Sequence, residues 1–236
     1  MLKLYIGNKN YSSWSMRSWV LLTQFGIAFI EVNVRFDSFE AGSAFRRTMD
    51  SLSPTGKVPL MVDDELGDEF AVWDTLAIAE YIADKHPDKK IWPQDPKTRA
   101  RARSLCAEMH SGFGTFRANC PMNIEADLAA VGRIIWRDKL CVQLEVARIV
   151  SMWSELLAEH NGPMLMGEFS AIDAYFAPIG MRLQTYALPV PNVITAYIDR
   201  LIEMPGVKLW RDAALIENDF LDFEEPYRLR TTPSGK

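Results

Sequence analysis

Cysteine is scarce in this chain: Cys106, Cys120 and Cys141 are its only thiols in 236 residues. They are odd in number, far apart and never in a C-x-x-C pair. That argues against a disulfide framework, a zinc site or a dithiol redox centre, and for a reducing compartment. Histidine is equally rare, and the three scattered residues His86, His110 and His160 give no ligand spacing, so no metal is expected. No apolar run approaches the roughly 18 residues of a membrane span, and the apolar stretch at residues 1–6 is too short for a signal peptide. An excess of one charge is also missing. With 26 basic residues against 31 acidic, the net charge is −5, and no global field draws nucleic acid or anionic lipid. A P-loop, a dinucleotide fingerprint, a Ser-His-Asp order and internal repeats are all absent from the sequence. The expectation is a cytoplasmic protein with neither nucleic-acid nor membrane partners.

What is present is an ordinary globular composition, 48% apolar and 24% charged, in a chain long enough for two domains. Residues 2–6 and 28–34 alternate as strands, and 60–62 and 70–72 read as short strands joined by an acidic turn containing Gly67. Helical character runs over 16–25, ending at Gly26, more weakly over 43–49, and over 74–85, where His86-Pro87 stops it. The order is βαβαββα, and periodicity alone names it only α/β. Pro87, Pro93 and Pro96 mark a linker at 87–97 between domains at 1–86 and 98–236. Beyond Thr98 strand signals nearly vanish. One long helix is expected over 99–116, with Pro121 interrupting, and another over 140–157. Ser170 to Asp173 has the form of a capping box opening an apolar helix. Residues 197–204 read as a last clear helix stopped by Pro205-Gly206, with helical wrapping over 209–223 and a loose tail at 231–236.

The most informative stretch is Ser53-Pro54-Thr55-Gly56-Lys57-Val58-Pro59-Leu60. Its first half is turn chemistry, and a proline at a strand's first residue breaks no ladder bond. A cis Val58–Pro59 bond would turn the N–H and C=O of Val58 outward, free to pair with an extended peptide. Asp74-Thr75 opens a helix, where exposed N–H groups and the dipole suit a carboxylate. A strand start and an N-cap explain either piece alone; together, in this order, they suit a small acidic peptide.

This stretch, a short hairpin and then Trp73-Asp74-Thr75-Leu76-Ala77-Ile78-Ala79-Glu80-Tyr81-Ile82 resemble the glutathione-binding half of a glutathione S-transferase, with Asp74-Thr75 where the family usually has Glu or Gln followed by Ser. Gly167 ahead of the capping box is like the family's second domain. The resemblance implies an α/β thioredoxin-like N-terminal domain and an all-α C-terminal domain. It also implies a homodimer, glutathione as co-substrate, and glutathione contacts at Val58, Pro59, Asp74 and Thr75, with Lys57 able to reach the glycyl carboxylate.

Such chemistry needs little beyond binding and a thiolate, since a free thiol of pKa about 8.5 is only slightly ionised at neutral pH. A hydroxyl at a helix N-terminus favours the anion. Ser12-Ser13-Trp14-Ser15, followed by Arg17, is similar to the Ser-Ser-Cys-Ser-x-Arg run of the zeta class, the maleylacetoacetate isomerases, with Trp14 in place of cysteine. Laid on that motif, Ser12 is the thiol-activating hydroxyl and Ser13 the second serine. A one-residue shift of the helix start exchanges their roles, and Tyr5 and Tyr11 stay open as alternatives. N-capping is the structural account of the same serines. His110, Phe113 and Arg117 are candidates for the electrophile pocket, with His110 and Arg117 at i,i+7 on one helix face; pairing with acidic neighbours and core packing are the simpler accounts. The leading reading is a glutathione transferase with serine-type thiol activation, and glutathione-dependent isomerisation or peroxide reduction is narrower. A non-catalytic binding or regulatory protein on the same fold is the alternative.

Overall fold

The computed structural model describes residues 1–67 and 70–229. The N-terminal part runs β1 (Leu2–Ile6), α1 (Ser13–Gln24), β2 (Ile30–Asn33), α2 (Ala44–Leu52), β3 (Leu60–Asp63), β4 (Phe70–Val72) and α3 (Thr75–Lys85). The sheet order is β2-β1-β3-β4, with β1 parallel to β2 and antiparallel to β3, and β3 antiparallel to β4. This is the thioredoxin-like arrangement expected from the sequence. Alternation decides which residues of the sheet meet which core. Leu2, Leu4 and Ile6 enter the large core with Met16, Val20 and Ile78, whereas Leu60 and Val62 join Phe36, Phe45 and Met49 in a smaller one. The second strand is shorter than residues 28–34, and Ile30 is exposed at the sheet edge.

From Pro96 onward the described elements are helical: α4 (Pro96–Ser111), α5 (Gly114–Asn119), α6 (Ala129–Asp138), α7 (Leu140–His160), α8 (Ala171–Thr185), α9 (Asn192–Ile202) and α10 (Pro205–Glu217). Helix α8 is buried nearly all round, and α1 packs against both α8 and α10. Its capping residue Asp173 accepts from Ser170 N–H at 3.0 Å, from Leu165 N–H at 3.1 Å and from Tyr197 Oη–H at 3.0 Å. The carboxylate therefore fixes both the helix start and the turn before it.

Two expectations are corrected. The single helix over 99–116 is two helices. Gly112 ends α4 by donating to Glu108 O at 2.8 Å, Phe113 turns left-handed at φ +57°, and α5 then begins. The new start is held from far along the chain, because Glu145 of α7 accepts from Thr115 and Phe116 N–H at 3.3 and 2.6 Å. Pro205-Gly206 opens α10 rather than only stopping α9, since a proline at N1 lacks an N–H that would be orphaned anyway. Gly206 brings α10 against α1, its N–H donating to Gln24 Oε1 at 2.9 Å. Helix α6 carries no element in the sequence reading. The tail at 231–236 lies outside the described residues.

Candidate functional site

The loop that enters β3 is fixed by its own turn chemistry. Gly56 sits at φ +57° with its N–H on Ser53 O at 3.2 Å, and Ser53 Oγ meets Thr55 Oγ1 at 3.0 Å. From α2, Arg46 Nη1 donates to Gly56 O at 2.9 Å. The Val58–Pro59 bond that follows is cis. At the β4–α3 junction Asp74 is the N-cap, its Oδ1 accepting from Leu76 N–H at 3.1 Å. The fold brings these two places together. Thr55, Lys57, Val58 and Pro59 from the loop, and Trp73 and Asp74 from the junction, line one cleft of about 260 Å³. Trp14 from α1 and His110 from the last turn of α4 complete it. A larger cleft of about 330 Å³, near Trp92 and Phe169, shares no lining residue with it.

The other sequence candidates are not among the residues that line this cleft. Ser12 is the N-cap position of α1 and is 6% exposed; its Oγ–H donates to Ser15 Oγ at 2.7 Å, and Ser15 Oγ also accepts from Gly7 N–H at 3.2 Å. Ser13 Oγ accepts from the buried Arg182 at 3.2 Å. Thr75 is buried, with Oγ1 at 2.7 Å from Tyr175 Oη. Phe113 is buried in the main core. Tyr11 donates to Glu225 at 2.7 Å and joins the smaller core, where burial holds its proton well above the usual phenol range; Tyr5 packs against the same core. The i,i+7 argument for His110 and Arg117 does not survive the break at Gly112-Phe113. The two meet the same ring instead.

That ring is Trp14. His110 lies edge-on to it at 5.0 Å between centroids, and the guanidinium of Arg117 lies 5.4 Å from it. Arg17 stacks on it at 4.1 Å and on Tyr175 at 4.3 Å. Arg17 is 2% exposed, and its Nε and Nη1 have no hydrogen-bond partner among the described residues. Burial lowers its pKa to about 10 and lowers that of Arg117 as well. His110 is engaged at both nitrogens: Nδ1 lies 2.8 Å from Tyr175 Oη and Nε2 lies 3.2 Å from Asp74 Oδ2. Burial pushes the Tyr175 phenol up to about 12, so it stays protonated. Sequence reasoning missed Tyr175, Trp73 and the cleft-lining part of Trp14. Trp14 could have been found, since it stands where the motif it resembles has cysteine; Tyr175, deep in an apolar helix, leaves no local signal.

Among the described residues no group of histidine, cysteine and carboxylate side chains could hold a metal ion. No helix among them is long and apolar enough to cross a membrane.

Comparison with known proteins adds family likeness to this geometry. The family model described as glutathione S-transferase, N-terminal domain, matches residues 11–85. A probable maleylacetoacetate isomerase of Caenorhabditis elegans is 31% identical over 105 residues, 44% of this chain and 46% of that protein. A stringent starvation protein A homolog of Pasteurella multocida is 24% identical over 156 residues, 64% of this chain and 66% of that protein. These curated relatives are thus matched over less than two thirds of their own length. A crystal structure of a glutathione transferase homolog from Burkholderia, with bound glutathione, superposes with a TM-score of 0.66 at 23% identity, covering 92% of this chain and 99% of that one. At that identity the likeness is one of fold.

Proposed function

We propose, for a chain that belongs to the glutathione S-transferase family through its N-terminal domain, a cytoplasmic, homodimeric enzyme that binds glutathione and activates its thiol for attack on a small electrophile. The observation that carries this reading is the meeting of Val58-Pro59 and Asp74 in one cleft. A backbone edge that can pair with a peptide there faces a helix N-terminus that favours a carboxylate. The tripeptide lies extended along Val58, with Lys57 near its glycyl carboxylate and its γ-glutamyl end at Asp74 and the first N–H groups of α3. Its sulfur then points toward the N-terminus of α1. Ser12 serves there as the hydroxyl donor, its Oγ–H turning from Ser15 to the sulfur so that hydrogen bond and dipole together favour the thiolate. The thiolate attacks an electrophilic carbon of the second substrate and the leaving group departs.

Calorimetric titration of glutathione into the wild type and into Ser12→Ala at neutral pH tests this. Binding by both, with thiol-proton release only in the wild type, supports Ser12's role. Proton release undiminished in the variant removes it, and no binding at millimolar glutathione ends the transferase reading. A second reading, a glutathione-binding protein without turnover, draws on the engagement of Ser12 Oγ by Ser15 and on the indole at the motif's cysteine position. Glutathione bound with no thiol-proton release and no turnover of any electrophile would select it.

A further inference from the structure

The turn that delivers Ser12 is held from the other end of the chain. Between β1 and α1 the backbone folds back on itself, with the N–H groups of Tyr11 and Ser12 on Asn8 O at 3.2 and 2.8 Å. At the tip, the N–H groups of Lys9 and Asn10 donate out of the turn, to Oε1 and Oε2 of Glu217 at 3.0 Å each. An ionised carboxylate suits such a pair, because it accepts through both oxygens and donates through neither. Glu217 is the last residue of α10, and the same helix sends Trp210 Nε1–H to Lys9 O at 3.1 Å.

The segment after α10 continues the attachment. Asp219 accepts from Asn8 Nδ2–H at 2.9 Å, and Asn8 Oδ1 accepts from Phe36 N–H at 2.8 Å. Glu225 accepts the Tyr11 hydroxyl at 2.7 Å and is itself held by Asn123 and Arg228, each at 2.9 Å. Asn8, Asn10, Tyr11, Asn123 and Glu225 are all buried. Each residue of the turn from Asn8 to Tyr11 is thus bonded to a carboxylate between positions 217 and 225, and Ser12 follows directly. An enclosed network of this kind rigidifies the backbone it holds. The hydroxyl that follows the turn needs that rigidity, since a donor has to lie within about 0.5 Å of its productive place, and a shift of about 1 Å costs on the order of a hundredfold.

We propose that Glu217 is a positioning residue for thiol activation, its carboxylate clamping the turn at Lys9 and Asn10 so that Ser12 Oγ meets the glutathione sulfur. The proposal rests on the reading above and adds to it the end of α10, as the part of the C-terminal half that sets the thiol's acidity. Position and charge make opposite demands here. A carboxylate acting through space opposes an anion at the start of α1, so removing its charge alone would lower the thiol's pKa, whereas losing the alignment of Ser12 raises it.

The thiol of bound glutathione is titrated by its thiolate absorbance from about pH 5 to 10, with protein in excess and S-methylglutathione as the reference for the protein's own tyrosines. Ser12→Ala should bring the thiol back toward its free value of about 8.5. Glu217→Ala should raise it by about one unit, a tenfold loss of thiolate at pH values below the transition. Glu217→Gln, which keeps one accepting oxygen and no charge, should give a smaller rise. S-Methylglutathione, which has no thiol to activate, should bind these variants as it binds the wild type. In a Ser12→Ala background Glu217→Ala should add nothing, because it acts through that hydroxyl. Should Glu217→Ala fail to fold, Asp219→Ala, which frees the same turn at Asn8, decides in its place and should shift the thiol the same way. A thiol unchanged or more acidic in the deciding variant, or a further rise from Glu217→Ala on top of Ser12→Ala, overturns the proposal and leaves the glutathione reading standing. A wild-type thiol no more acidic than free glutathione removes Ser12's role and the proposal together, and failure of glutathione to bind removes the whole reading.

Discussion

Arg17 is a buried cation with no ion pair among the described residues, so replacing it tests whether its charge stabilises the fold or only fits it. Lowering its pKa from 12.5 to about 10 means the charged form is disfavoured in the folded protein. At pH 7 the group is protonated in both folded and unfolded chains, so the difference costs about 3 kcal/mol. Opposing this are two stacked aromatic contacts, at 4.1 Å on Trp14 and 4.3 Å on Tyr175, each worth about 1–2 kcal/mol when desolvated. The two nearly cancel. Arg17→Met keeps an unbranched stem between the rings and removes the charge, so its stability at pH 7 should lie within about 1 kcal/mol of the wild type. Arg17→Ala empties the same space and should lose about 2–4 kcal/mol through the cavity alone. Urea denaturation followed by circular dichroism measures both. A methionine variant losing more than about 3 kcal/mol would refute the reasoning, because the guanidinium would then be making strong polar bonds.

Glu224 gives a pH-dependent case. Burial raises its pKa from 4.5 to about 7, so the folded state holds its proton more tightly; the stability this confers is complete below pH 4.5 and lost as pH rises through 7. Glu224→Gln should therefore be more stable than the wild type at pH 8, on the order of 2 kcal/mol after allowing for its partial exposure, and indistinguishable at pH 4; equal urea midpoints at pH 8 would contradict this. Gly132 of α6 lies so close to α8 that an added Cβ would stand 1.8 Å from Tyr186 O, a backbone atom that cannot swing away. Gly132→Ala should cost about 3 kcal/mol or more by the same urea assay, whereas Gly114→Ala in α5, with nothing within 4 Å, should be neutral or gain up to about 1 kcal/mol.

How much of this was legible depends on where each determinant lies along the chain. The strand and helix order of the first 85 residues is local, written in alternation, in Gly26 and in Pro87, and it could be read. So could the turn at Ser53 to Pro59 and the N-cap at Asp74, because each depends on the backbone chemistry of adjacent residues. The break after Ser111 could not, because the group holding the start of α5 is Glu145, about thirty residues away. Pro205-Gly206 was ambiguous for a different reason, since the same dipeptide ends one helix and starts another. In the cleft, Tyr175 and the stacking of Arg17 on Trp14 exist only once α1, α4 and α8 are packed, and no spacing in the sequence encodes that meeting.

The indole at position 14 also decides what kind of thiol chemistry the cleft can support. No cysteine lines the cleft. Cys106 and Cys120 are buried, and burial pushes both thiols up, that of Cys120 to about 12, so neither supplies a thiolate near neutral pH. Cys141 is exposed on α7. A mixed disulfide between protein and ligand therefore has no partner in the cleft, and a thiolate acting there has to arrive with the ligand. In place of a nucleophile, Trp14 presents a ring with two guanidinium groups against it and an imidazole at its edge. The two guanidinium charges near that ring favour an anion over a neutral group in the cleft.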